Sequence, residues 1–284
     1  MTELPDYTDF NGLEAVHLQS PDGAKAVITR QGAQLVSWIP AGGKEQLYLS
    51  PDSFFEPEMA IRGGVPIIFP QFADTGPFHR HGFARLLPWR LSELREDGKS
   101  VLAVFTLEAD EVSYGYWAHP FKAEFTVALE GQRLDMELEV ENPDQEEGEP
   151  FSFTAALHTY LKVKEVEEST LTGLHGATYL DRCDLQEYRD TGTELQVEEE
   201  VDRLYPGITK PLMLQDGDRT LGIYAEGFPD LVVWNPWEEK CGAMDDMPPS
   251  GFRYMLCVEA AAVAQPIELA PGETWWGRQS LVVV

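Results

Sequence analysis

Between Arg62 and Arg95 the chain carries five arginines, Arg62, Arg80, Arg85, Arg90 and Arg95, against two acids, Asp74 and Glu93. The whole chain runs the other way, with 49 acidic residues to 21 basic ones. A guanidinium is a rigid donor fork that suits carboxylate or phosphate, and screening over about 8 Å lets a local cluster act inside an anionic protein. The stretch from Arg62 to Trp89, RGGVPIIFPQFADTGPFHRHGFARLLPW, therefore reads as an anion pocket. Gly63 and Gly64 remove two Cβ atoms beside Arg62, which permits close backbone approach or positive φ. His79 and His81 sit among the arginines, and the remainder is rich in Phe, Pro and Ile, so the loop is expected to be packed and rigid.

Two further side chains could move protons. His158 lies in a period-two stretch, Phe151 to Val163, on the face shared by Ser152, Thr154, Ala156, Tyr160 and Lys162. A face of small and polar side chains could line an open groove. Glu259 lies in the apolar run Y-M-L-C-V-E-A, where desolvation would raise its pKa.

The elements that must position these residues read as β-strands. Ala15 to Gln19, Ala24 to Thr29 and Gln34 to Ile39 are short strands broken by tight turns, which predicts an antiparallel sheet. Ser50 to Ala60, headed by Pro-Asp-Ser, predicts one short helix. Val101 to Leu107, Phe121 to Leu129 and Leu134 to Glu141 follow, the last alternating apolar and acidic without a fault, and the acids from Glu137 to Glu149 continue that wet face into a turn. Glu165 to Gln196 is polar and loop-like with a few short strands. Leu212 to Leu214, Thr220 to Ala225, Leu231 to Trp234, Tyr254 to Ala260 and Thr274 to Val283 complete an all-β inventory without repeat or linker.

A formal charge of −28 and a pI near 4.4 argue against nucleic acid and anionic membrane as partners, since both need a basic face. Cys183, Cys241 and Cys257 are odd in number and lack C-x-x-C spacing, so neither a disulfide framework nor a zinc site is expected. The lead MTELPDYTDF lacks the basic and apolar regions of a signal peptide, and no apolar run is long enough to span a membrane. A reduced, cytoplasmic setting follows as the expectation.

The blocks R-G-G-V-P-I-I-F-P-Q-F from Arg62, H-G-F-A-R from His81 and Trp89 resemble the signature of the glucose-6-phosphate 1-epimerases, or hexose-6-phosphate mutarotases, relatives of the aldose 1-epimerases. A-L-H-T-Y-L-K-V around His158, W-N-P-W-E-E-K from Trp234 and C-V-E ending at Glu259 follow in the family's order, so the resemblance spans about Asn11 to the C-terminus. It implies an antiparallel β-sandwich of the galactose mutarotase-like type, formed as a single domain over residues 1–284. It implies interconversion of the α and β anomers of a hexose 6-phosphate, with Glu259 as base and His158 as acid. Arg62, His81 and Arg85 become the expected phosphate ligands, and Gln71 and Asp202 the partners of sugar hydroxyls. Asn235 and Trp237 are expected to shape the cleft, because an aromatic ring stacks on the apolar face of a pyranose.

Ring opening needs one group to take the anomeric proton and another to protonate the ring oxygen, so no metal or organic cofactor is expected. The expected partner is a small sugar phosphate, and the expected state a monomer. Where the family often continues C-V-E with Pro-Gly, this chain has Ala260 and Ala261, which bears on the backbone after Glu259. Two other readings compete: an aldose 1-epimerase acting on neutral sugars, and a non-catalytic carbohydrate-binding sandwich.

Overall fold

The alternating run after Gln132 forms the strand Arg133–Glu141, whose Leu134, Met136, Leu138 and Val140 are fully buried while the acids between them stay half exposed. The computed structural model containing it describes residues 4–145 and 147–284. Residues 1–3 of the acidic lead, and Glu146 in the acidic turn, lie outside the described residues.

Three sheets carry the chain, and every pairing between their named strands quoted below is antiparallel. Thr8–Phe10, Leu13–Gln19, Lys25–Thr29 and Leu35–Ile39 form a four-stranded sheet. A nine-stranded back sheet has Thr274–Val283 near its middle, between Arg219–Glu226 and Arg133–Glu141. An eight-stranded site sheet runs through Val201–Pro206, Asp230–Asn235, Met255–Leu269 and Phe151–Leu157 to Ile67–Ile68, with Tyr160–Lys162 also paired to Met255–Leu269. The site and back sheets face each other: Trp275 of the back sheet meets Phe153 of the site sheet edge-on at 5.7 Å, and both belong to one continuous hydrophobic cluster. The fold is thus an all-β antiparallel sandwich.

Three expectations need correction. Ser50 to Ala60 forms turns and no helix, because Pro57 removes an amide and pushes its predecessor out of the α region, while Glu58 adopts a φ of 64°. Phe151 to Val163 is two strands, Phe151–Leu157 and Tyr160–Lys162, separated by His158 and Thr159, with a register shift between Phe153 and Ala155. The strand at Tyr254 to Ala260 is far longer, Met255–Leu269, since it spans the sheet beside both neighbours. The strands Thr8–Phe10, Ile67–Ile68, Arg90–Asp97 and Val201–Pro206 were not legible, being short or charged.

The helices Glu111–Tyr116 and Trp237–Gly242 each have six residues, and among the described residues no helix is long and apolar enough to cross a membrane. All three cysteines are free; Cys183 is exposed, Cys241 and Cys257 buried.

Candidate active site

Strand register brings the two proton-moving candidates together. Leu157 pairs with Ala260 and Tyr160 with Cys257, so the same register places His158 opposite Glu259. Their side chains meet on the sheet's outer face, with His158 Nδ1 3.2 Å from Glu259 Oε1. The next strands extend this row, since Val232 pairs with Glu259, Trp234 with Cys257 and Asp202 with Trp234. His158 and Glu259, 7 % and 1 % exposed, lie at the floor of a cavity of about 180 Å³ whose walls include Val232, Trp234 and Asp202.

The ring of His158 is clamped by its neighbours. Tyr160, two residues on and on the same face, stacks on it at 4.7 Å with 10° between planes, and Trp234 meets it edge-on at 5.8 Å. The His158 amide donates to the Pro66 carbonyl at 3.0 Å, tying the strand break to the Arg62 loop. In that loop Gly63 and Gly64 have φ of 116° and 61°, and a Cβ on either would fall within 2.4 Å of the Tyr48 or 2.2 Å of the Leu35 carbonyl oxygen. These glycines serve close packing of backbone on backbone.

Five cationic side chains line the cavity: Arg62, Arg80, Arg85, Arg182 and Lys240. Four face a carboxylate. Arg62 Nε and Nη2 reach Asp246 Oδ2 at 3.1 and 3.0 Å while its Nη1 donates to the Tyr160 hydroxyl at 3.0 Å. Arg80 meets Asp74 and Lys240 meets Glu200, both at 2.6 Å; Arg182 lies 3.8 Å from Asp202 and over the Phe72 ring. Arg85 has no carboxylate partner among the described residues. Its Nη2 donates to the Arg80 carbonyl, and its buried Nε is unpaired. Burial, with Arg62 and Arg80 adding like charge, pushes Arg85 down to about 10.

Burial also sets the protons. His158 is held well below the usual histidine value, first by desolvation and then by the charges of Arg62 and Arg85. His81 is lowered by burial and by His158, whose ring lies 5.5 Å away. The Ala73 amide donates to His81 Nδ1 at 3.2 Å, so neutral His81 carries its proton on Nε2 and presents a donor. Glu259 is raised well above the usual glutamate value by burial and next by Asp202. Both shifts favour the uncharged forms of the facing pair, which puts the proton they compete for on Glu259 rather than on His158.

Of nine expected site residues, His158, Glu259, Arg62, His81, Arg85 and Asp202 line this one cavity, although they are spread along the chain from residue 62 to residue 259. Gln71, Asn235 and Trp237 do not line it. The Gln71 amide holds its own loop, donating to the Ala73 carbonyl at 2.8 Å and accepting the Phe78 amide at 3.0 Å. Asn235 is fully buried, donates to the Phe252 and Met255 carbonyls, and accepts the Trp237 amide; Trp237 packs on Phe252. Sequence reasoning passed over Arg182, Lys240, Tyr160, Trp234 and the Arg62 partner Asp246. Tyr160 had a signal in its i+2 spacing from His158, and Trp234 and Lys240 in the block W-N-P-W-E-E-K that they open and close.

One cluster among the described residues could hold a metal ion: the ligand atoms of His158, Cys257 and Glu259 lie within 4.8 Å of one another. Burial raises both the Cys257 thiol and the Glu259 carboxyl above their usual values, so a cation there would compete with protons at both.

The family described as aldose 1-epimerase matches residues 14–281. The chain belongs to the aldose 1-epimerase family. Among relatives of this aldose 1-epimerase family chain, a Cenchrus ciliaris protein named "putative glucose-6-phosphate 1-epimerase" is 37% identical over 285 residues, covering 96% of this chain and 86% of the relative. The crystal structure of a "putative mutarotase (YeaD)" from Salmonella typhimurium matches with a TM-score of 0.90 at 30% identity, over 98% of this chain and 92% of that one. A galactose mutarotase-like protein from Clostridium acetobutylicum, 16% identical over 99% and 98% of the chains, shares the fold with a TM-score of 0.76. The sandwich is thus of the galactose mutarotase-like type, as the resemblance implied.

Proposed function

We propose that this epimerase family member interconverts the α and β anomers of a hexose 6-phosphate. The observation that carries the phosphate is Arg85, a cavity guanidinium without a carboxylate partner in the same cavity as the facing His158 and Glu259. A phosphate dianion completes its coordination with Arg62 and the Nε2–H of His81. The Cenchrus ciliaris relative's name supports the same substrate.

The phosphate also prepares the chemistry. Its charge cancels Arg62 and Arg85, two of the groups that hold His158 neutral, and the shared proton crosses the 3.2 Å from Glu259 Oε1 to His158 Nδ1. Glu259, now a carboxylate, takes the proton of the anomeric hydroxyl while the His158 imidazolium gives one to the ring oxygen, and the C1–ring oxygen bond breaks. The open-chain aldehyde turns about C1–C2. On closure the ring oxygen attacks the other carbonyl face, returning its proton to His158 as Glu259 reprotonates O1. Asp202, on the same wall, accepts a sugar hydroxyl, and Trp234 and Tyr160 supply the aromatic wall that Trp237 was expected to give.

Magnetisation-transfer NMR on glucose 6-phosphate and on glucose, side by side, tests this. Exchange should be accelerated for the phosphate ester and lowered by about 10²–10⁴-fold in His158→Asn. Acceleration of glucose alone overturns the phosphate site, and acceleration of neither leaves a carbohydrate-binding sandwich.

A further inference from the structure

His158 and Glu259 come from different strands, so their separation depends on what fixes one strand against the other. Facing residues alternate, and the next pair, Thr159 and Val258, turns away from the cavity toward the back sheet. There Gln279, on Thr274–Val283, is fully buried between the sheets, a place where an apolar side chain is the default. Its amide is engaged at both ends: the Thr159 hydroxyl donates to Gln279 Oε1 at 2.5 Å, and Gln279 Nε2 donates to the Val258 carbonyl at 2.9 Å. The Val258 amide donates in turn to the Thr159 carbonyl at 3.1 Å. Three hydrogen bonds thus close a ring through the residue after His158, the residue before Glu259 and one side chain of the opposite sheet.

We propose that Gln279 is a positioning residue, which sets the His158–Glu259 separation from behind by tying Thr159 and Val258 to the back sheet. The ring touches neither cavity nor ligand, and resting on the acid–base reading above, it acts only through the two strands. A primary amide suits the task because it accepts from one strand and donates to the other in a fixed plane. His158 and Thr159 lie in the break between Phe151–Leu157 and Tyr160–Lys162, outside both strands.

The test compares Gln279→Leu, Thr159→Val and Thr159→Ser by NMR exchange, with kcat and KM resolved and Tm recorded. Because small misplacements of reacting groups cost up to about 10²-fold, Gln279→Leu and Thr159→Val should lower kcat at least about tenfold with KM within about twofold. Thr159→Ser, which restores the hydroxyl, should recover most of that loss. Unchanged kcat with a lowered Tm would make the ring purely structural and overturn the proposal, as would equal losses in the Ser and Val variants. If Gln279→Leu fails to fold, the Thr159 pair decides. Full turnover in His158→Asn would sink the acid–base reading, and the positioning role with it, on a separate variant.

Discussion

Arg85 is the side chain whose removal should separate the substrates. A hydrogen bond to a charged group contributes about 1.5–3 kcal/mol, so Arg85→Ala should raise KM for glucose 6-phosphate by about 10–100-fold and leave any glucose exchange unchanged. A KM that does not move rules Arg85 out as a phosphate ligand. The buried histidines predict a pH dependence of stability. His81 and His158 have folded values below 6.5, so as pH falls through that value the unfolded chain binds two protons that the folded chain refuses. Glu259 opposes them, because its folded value lies above 4.5 and the native state keeps one proton that the unfolded chain releases. Two groups work toward unfolding on acidification and one against it, so stability should fall as pH drops from 6.5 toward 4.5. Guanidinium unfolding at several pH values between them reads the slope, and His81→Asn should flatten it.

Among the elements, the loop that carries His81 and Arg85 is fixed by backbone contacts. Gly82, at φ +71°, would place a Cβ 2.2 Å from the Phe69 carbonyl oxygen, and His81 itself sits at φ 69°. Gly82→Ala should therefore cost at least about 1–3 kcal/mol and, under the proposed function, raise KM by moving His81 and Arg85, both seen in one set of Tm and exchange measurements. The glycine motif was plain in the sequence, but its purpose was left open between ligand approach and positive φ. Strands with faultless alternation, such as Leu134 to Glu141, were legible for the same reason that they fold, since period two is what a half-buried sheet requires. The facing of His158 and Glu259 was not, because register depends on pairings a hundred residues apart. Gln71 and Asn235 show a second limit: an amide in a site-like motif can spend its donors on nearby carbonyls, and no sequence pattern distinguishes that from a ligand.

At the scale of the whole molecule, charge is sorted. A formal charge of −28 surrounds a cavity walled by five cations. The outer field repels a dianionic substrate over a distance set by salt, whereas the cavity attracts it at contact. Added salt should first raise kcat/KM for glucose 6-phosphate as long-range repulsion is screened, then lower it as the cavity's own attraction weakens. A monotonic fall over the same titration would show that the envelope plays no part in encounter. The unpartnered Arg85 has a consequence for the chain without substrate as well. Where every other cavity cation holds a carboxylate of the chain, Arg85 has none among the described residues, so under the proposed function a bound phosphate ester would act in the thermodynamic sense as a missing acidic residue. Occupancy and folding would then reinforce one another, and the pool of small dianions around the protein would become part of what keeps it folded.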